Sequence, residues 1–209
     1  MKEKQLYIIF MKEETTDYEN HKLLKNRDWR ITMKHEKIIN NAAASGATAN
    51  WEALRDLSRV MRVFEHRKVT IDVADNGDII VTNFCYPFRM VATFEGDGVA
   101  IISSVYNGVE MGRSLYDSHR GGDLIKQFEH ESKDAYEYGA SVLLGKLADS
   151  DKLDSSITEW AIKWSGFMLN CWSKKMETSD NIKVKLYSVK KVLEYSDIIK
   201  KITASISMF

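Results

Sequence analysis

The most crowded polar segment of the chain is Asp117-Ser-His-Arg-Gly-Gly-Asp123, followed closely by Glu129, His130, Glu131 and Asp134. Two glycines ahead of a helix let backbone N–H groups approach an anion at the positive helix end. Arg120 could add a bidentate phosphate contact. His130 and Asp134 stand four apart on one helical face, so with His119 they could hold a divalent metal. Asp117, His119, Arg120, Asp123 and His130 would then serve metal-dependent phosphoester or nucleotide chemistry. The segment matches no Walker glycine-lysine pattern, no dinucleotide glycine set and no paired His-Glu zinc motif. The plainer reading, which we favour, is a loop in which Asp123 caps a helix beside a solvated charged face.

Arg55, Arg59, Arg62 and His66 recur at steps of four, three and four, a spacing that could follow a phosphate backbone along one helical face. Lys22, Lys25, Arg27, Arg30, Lys34 and Lys37 lie upstream, with Trp29 as a stacking candidate. Glu52, Asp56 and Glu65 share the helix, however, and the formal net charge is +0, which disfavours nucleic acid. Pairing of the stripe with carboxylates from the acidic middle of the chain is the stronger expectation.

Asp72, Asp75, Asp78, Glu95 and Asp97 gather near hairpin ends and could bind Mg²⁺ or Ca²⁺. Aspartate is also what turns select unaided, because its side chain bonds the local backbone. Trp160, Trp164 and Trp172 share a helical face, as a partner-binding surface or as the core side of a buried helix; continuity with aliphatic neighbours favours the core. No serine, cysteine or histidine stands in a nucleophile signature. No cofactor is predicted, though these groups could take a divalent metal.

The elements that position these residues are legible in part. Leu6 to Phe10 reads as a strand, residues 21–46 mix strand-like and helical patterns, and Asn50 to His66 is an amphipathic helix with Trp51, Leu54, Leu57, Val60, Met61 and Phe64 on one stripe. From Lys68 the period changes to two. Val69 to Val73, Ile79 to Phe84, Phe88 to Phe94, Val99 to Tyr106 and a strand through Val109 and Met111 are separated by Asp75-Asn-Gly-Asp78, Gly96-Asp-Gly98 and Asn107-Gly108. Strands in chain order with tight turns make an antiparallel meander, because parallel strands need long crossovers. Its two faces are both partly apolar, so the sheet is expected to be covered on both sides or curled on itself. The only proline, Pro87, falls at a strand start.

Beyond the meander, Asp123 to Ala148 is helical, with Ile125, Phe128, Ala135, Tyr138, Val142 and Leu143 inward and a Glu129–Lys133 pair outward. Ser156-Ile-Thr-Glu159 reads as a capping box for a further helix through Trp172. Asn181 to Tyr187 alternates like an edge strand, and Val189 to Ile206 closes the fold as a helix. The fold class is therefore α+β: an antiparallel β-meander of about four to six strands, centred on residues 69–111 and packed with several amphipathic helices, in a single domain over residues 1–209.

Composition fits a globular chain: 209 residues, 44% hydrophobic and 29% charged. Its longest apolar runs are too short for a membrane span or a signal-peptide core, and there is no Asn-x-Ser/Thr acceptor. Two cysteines, Cys85 and Cys171, make a poor secreted framework, so we expect a cytoplasmic protein with both thiols reduced and buried. Charge is distributed in blocks: net −2 over residues 1–20, +6 over 21–68, −9 over 69–159 and +5 over 160–209. That pattern, the missing catalytic fingerprint and five Trp, nine Tyr and nine Met lean away from an enzyme. They suggest a small binding or regulatory protein acting through a protein partner, with homodimerisation and a viral or mobile-element accessory role as finer expectations.

Overall fold

A computed structural model describes residues 48–64, 67–150 and 154–206. The expected first strand, the mixed region 21–46 and His66 lie outside them. Helix α1 spans Trp51–Val60 and tightens into a 3₁₀ turn at Met61–Phe64. Five strands follow: β1 Val69–Val73, β2 Ile79–Cys85, β3 Phe88–Phe94, β4 Val99–Tyr106 and β5 Val109–Asp117. A short 3₁₀ turn at Ser118–Arg120 leads to α2 Leu124–Ala148, α3 Ser155–Thr178 and α4 Ile182–Ile206. The expected α+β meander is present as one antiparallel sheet in the order β1-β2-β3-β4-β5. The residues divide into two compact units, with the boundary between Gly139 and Ala140 inside α2.

The turns carry the meander. At Asn107-Gly108 both residues have positive φ, 48° and 79°, joining Tyr106 to Val109 as a two-residue hairpin requires. Asp75-Asn-Gly-Asp78 forms a wider loop: only Gly77 is left-handed, and Asn76 Nδ2 donates to Asp78 Oδ2 at 2.8 Å. Pro87 is not in a strand. It forms the β2–β3 hairpin turn with Tyr86 through a cis bond, between the paired residues Cys85 and Phe88.

The sheet's inner face reads across the strands in register. Ile79, Phe94, Ala100 and Tyr116 form one buried row. Val81, Ala92 and Ile102 form the next, and Asn83, Met90, Ser104 and Gly112 a third. Phe128 of α2 packs against Phe94, Tyr116 and Phe64 at ring distances of 5.9, 5.3 and 5.5 Å. Tyr136, one turn-pair further, meets Phe88 at 5.2 Å and donates to the Tyr86 carbonyl at 2.8 Å. Tyr136 is buried where Tyr138 was expected to be; Tyr138 is exposed. The outer sheet face is not fully covered: Ile80, Val91 and Ile101 are half-buried, and Phe84 and Leu115 are exposed.

Backbones touch at Gly112 of β5 and Gly139 of α2. A Cβ on Gly112 would meet the Ala135 carbonyl oxygen and Gly139 N, and one on Gly139 would meet the Ser104 side chain. Ser104 Oγ in turn donates to the Ala135 carbonyl at 2.9 Å, so the helix is held to the sheet by main-chain contact at this point.

In the second unit, α3 and α4 form a helical hairpin joined through Ser179, Asp180 and Asn181. Two expectations are corrected here. The α3 cap is Asp154, not Ser156: its carboxylate accepts from Ser156 N at 2.8 Å, while Glu159 pairs with Lys163 at 2.7 Å. The segment expected as an edge strand, Asn181 to Tyr187, is the cap and opening turns of α4: the Asn181 side chain accepts from Lys183 N at 2.9 Å as an N-cap does, and the helix runs on from Ile182. Trp160, Trp164, Met168, Tyr195 and Ile202 are buried. Cys85 and Cys171 are half-buried rather than buried. No helix among the described residues is long and apolar enough to cross a membrane.

Candidate functional site

The Asp117 segment begins at the end of β5, so its first residue is placed by the sheet register, opposite Val99. The structure brings Asp117, His119 and Arg120 together. Asp117 Oδ1 accepts from His119 N at 2.9 Å and lies 3.1 Å from His119 Nδ1. Arg120 reaches Asp117 Oδ2 with Nε at 3.7 Å and Glu131 Oε1 with Nη1 at 3.6 Å. Ser114 of β5 donates to Glu131 Oε2, and Gln127 donates to the Asp117 carbonyl at 2.8 Å. The His119 backbone and side-chain hydrogen bonds, with the charges of His119 and Arg120, hold the Asp117 carboxyl below its ordinary range. Ser114 and Gln127 were missed in the sequence because they sit 17 and 10 residues from their partners, Glu131 and Asp117.

This cluster is closed by its own members. The Arg120 guanidinium stands between the two carboxylates that would otherwise offer a cation oxygen ligands. The positive helix end behind Gly121 and Gly122 already holds an anion: Asp123 caps α2, accepting from Ile125 N at 3.2 Å and Lys126 N at 3.3 Å. His130 does not join His119 at a metal site; it pairs with Asp134 on the exposed face of α2 at 3.5 Å. Among the described residues no three His, Cys, Asp or Glu side chains gather as metal ligands. Lys133 reaches forward to Glu137 at 3.5 Å. Two of the turn carboxylates bond their own turns: Asp97 accepts from Val99 N at 3.0 Å and Asp78 from Asn76 Nδ2 at 2.8 Å.

The arginine stripe is also partly committed. Arg59 pairs at 3.2 Å with Asp56 of its own helix, not with the acidic middle segment. Asp56 is 1% exposed and accepts a further hydrogen bond from Gly98 N at 2.8 Å, which ties α1 to the β3–β4 turn. Arg55 and Arg62 are exposed, but the 3₁₀ turn from Met61 takes Arg62 off the α-helical spacing assumed for the stripe. A cavity of about 20 Å³, room for about one water, lies between Asn83, Ala92, Phe128, Ser132 and Tyr136.

Of the three tryptophans, Trp160 and Trp164 are 3% and 1% exposed and stack on each other at 6.5 Å. They belong to the core and are closed to a partner. Trp172 is half-buried, with the Tyr187 ring 5.4 Å away and Lys175 Nζ 4.8 Å over its face. Beside Tyr187 runs a feature that sequence reading passed over. Ile182, Leu186, Val189 and Leu193 of α4 are 65, 64, 40 and 62% exposed. Their steps of four, three and four align them in one stripe along the helix. The opposite side of the same helix is buried at Ser188, Tyr195 and Ile202. The helix therefore has one buried face and one exposed apolar stripe.

The chain matches no family model, no curated protein and no solved structure. Its class is therefore given by its own architecture: an α+β protein with a five-stranded antiparallel meander and a C-terminal helical hairpin.

Proposed function

We propose that this chain is a small cytosolic binding or regulatory protein that acts through a protein partner. The observation that carries the reading is the exposed stripe Ile182, Leu186, Val189 and Leu193. Each has 40–65% of its surface left to bury, so each gains about half of the roughly 1.5–3 kcal/mol of a complete burial, and four in line favour association more strongly than scattered surface hydrophobics do. The neighbouring Trp172, Tyr187 and Lys175 add aromatic and cationic groups of the kind that dominate protein interfaces. A helix offering anchors at this spacing suits a helix-in-groove or helix-on-helix contact.

The test is site-directed photo-crosslinking in cells, with a benzophenone amino acid at Leu186. Discrete protein adducts that disappear when Leu193→Asp is added in the same chain support the reading. Adduct-free protein, or adducts indifferent to Leu193→Asp, would remove it.

A further inference from the structure

We propose that the partner seated on the α4 stripe is a second copy of this chain, packed antiparallel about a two-fold axis between Leu186 and Val189. The inference deepens the partner-binding reading and rests on it. Its first support is the spacing. Ile182, Leu186, Val189 and Leu193 occupy alternating core positions of a heptad pattern, and reversing the helix maps the set onto itself. Ile182 of one copy meets Leu193 of the other, and Leu186 meets Val189, giving four filled layers with no polar residue at a core position. An isologous dimer needs such a self-complementary patch.

Charge selects the direction. Lys183, Lys190 and Asp197 are exposed and run along one flank of the stripe, seven residues apart. In a parallel pair this flank faces the other flank of the partner, which opens with Lys185, so lysine meets lysine. In an antiparallel pair the flank faces its own reverse, setting Lys183 against Asp197 of the other copy at both ends. Lys190 then lies near the axis and is the one like-charge approach. The stripe is short, about 17 Å at 1.5 Å per residue, which places the contact among small, reversible interfaces.

Sedimentation equilibrium of the full chain at about 1–100 µM, a range suited to a weak interface, should give a monomer–dimer equilibrium. Leu186→Lys/Leu193→Lys should abolish the dimer and leave the circular dichroism spectrum, and the Tm at concentrations where the chain is monomeric, unchanged, since both side chains are exposed. Lys183→Glu should weaken the dimer several-fold, and adding Asp197→Lys should restore it. Direction is read by oxidation of mixed single-cysteine variants: Ile182→Cys should link to Leu193→Cys, identified by peptide mass, and not to itself. A purely monomeric chain, a dimer indifferent to the double lysine variant, or a preferred Ile182→Cys self-link would each overturn the proposal. Cellular crosslinks from Leu186 to a different protein, with the pure chain monomeric, would overturn the self-partner while leaving the partner-binding reading standing.

Discussion

The junction after β5 and the outward face of α4 make opposite use of their side chains. Around Asp117 almost every group that looked reactive is satisfied by a neighbour: Asp117 by His119 and Arg120, Arg120 by Glu131, Glu131 by Ser114, and the α2 N-terminus by Asp123. On α4, four large apolar residues leave 40–65% of their surface in water. Charged groups crowded in sequence advertise chemistry but are readily consumed by caps, turns and ion pairs, each contributing a little to stability. Apolar groups left in water contribute nothing until something covers them. Between the two regions, the unspent one carries the proposed partner-binding role.

Four predictions sharpen that comparison. The largest concerns the close backbone contact in the sheet unit: Gly112→Val should destabilise by about 3 kcal/mol or more, because the new side chain enters main-chain atoms of α2 that have nowhere to move. Chemical denaturation of the variant measures this, and a wild-type midpoint would mean that the helix and sheet are less closely joined. Asp56→Ala comes next. It leaves the Gly98 N–H without its buried acceptor and should lower stability by about 1–3 kcal/mol; a change below a few tenths would demote this tie between α1 and the turn.

Tyr116→Phe should have the opposite sign. The hydroxyl is buried without a hydrogen-bond partner among the described residues, and burial, then the nearby Asp56 charge, raises its pKa. Removing it should leave stability unchanged or raise it by up to about 1 kcal/mol, read as Tm. The smallest effect is on acid stability. Ser103 donates to Glu110 at 2.7 Å, and with Arg113 it holds that carboxyl below its ordinary value despite some desolvation. The folded-state pKa is therefore depressed, so the stabilisation is complete above the unfolded value of about 4.3 and is lost as pH falls through the lower folded value. Glu110→Gln should flatten the Tm profile over that window only. Glu137 runs the other way: burial raises its pKa, with Lys133 opposing, so its stabilising share is present below the unfolded value and lost as pH rises through the folded one.

Legibility in the sequence followed the range of the interactions. All five strands were readable, and β5 ran further than Met111, to Asp117. Asn107-Gly108 predicted its own turn because the positive φ of both residues is a local property. The start of α4 was misread because Ile182, Val184 and Leu186 alternate like a strand, while Ile182, Leu186, Val189 and Leu193 repeat like a helix. Over seven residues the two periods cannot be told apart, and only length decides. Asn181 as a cap was the overlooked signal. Trp160, Trp164 and Trp172 shared a stripe in the sequence, but their burial differs, which no spacing could reveal.

By itself the sequence determined the α+β class, the antiparallel order of the strands and the amphipathic helices, since period, turn chemistry and capping act within a few residues. Only the tertiary structure decided which polar groups were consumed and which apolar ones were left over. Arg120 was matched to Glu131, Asp56 to Gly98, and Ser104 to Ala135 by elements 11, 42 and 31 residues apart. Exposure of the α4 stripe likewise depended on which face the rest of the helical unit had already covered. Local preference names the elements, and the competition among them for a limited buried interior decides which apolar surface stays exposed.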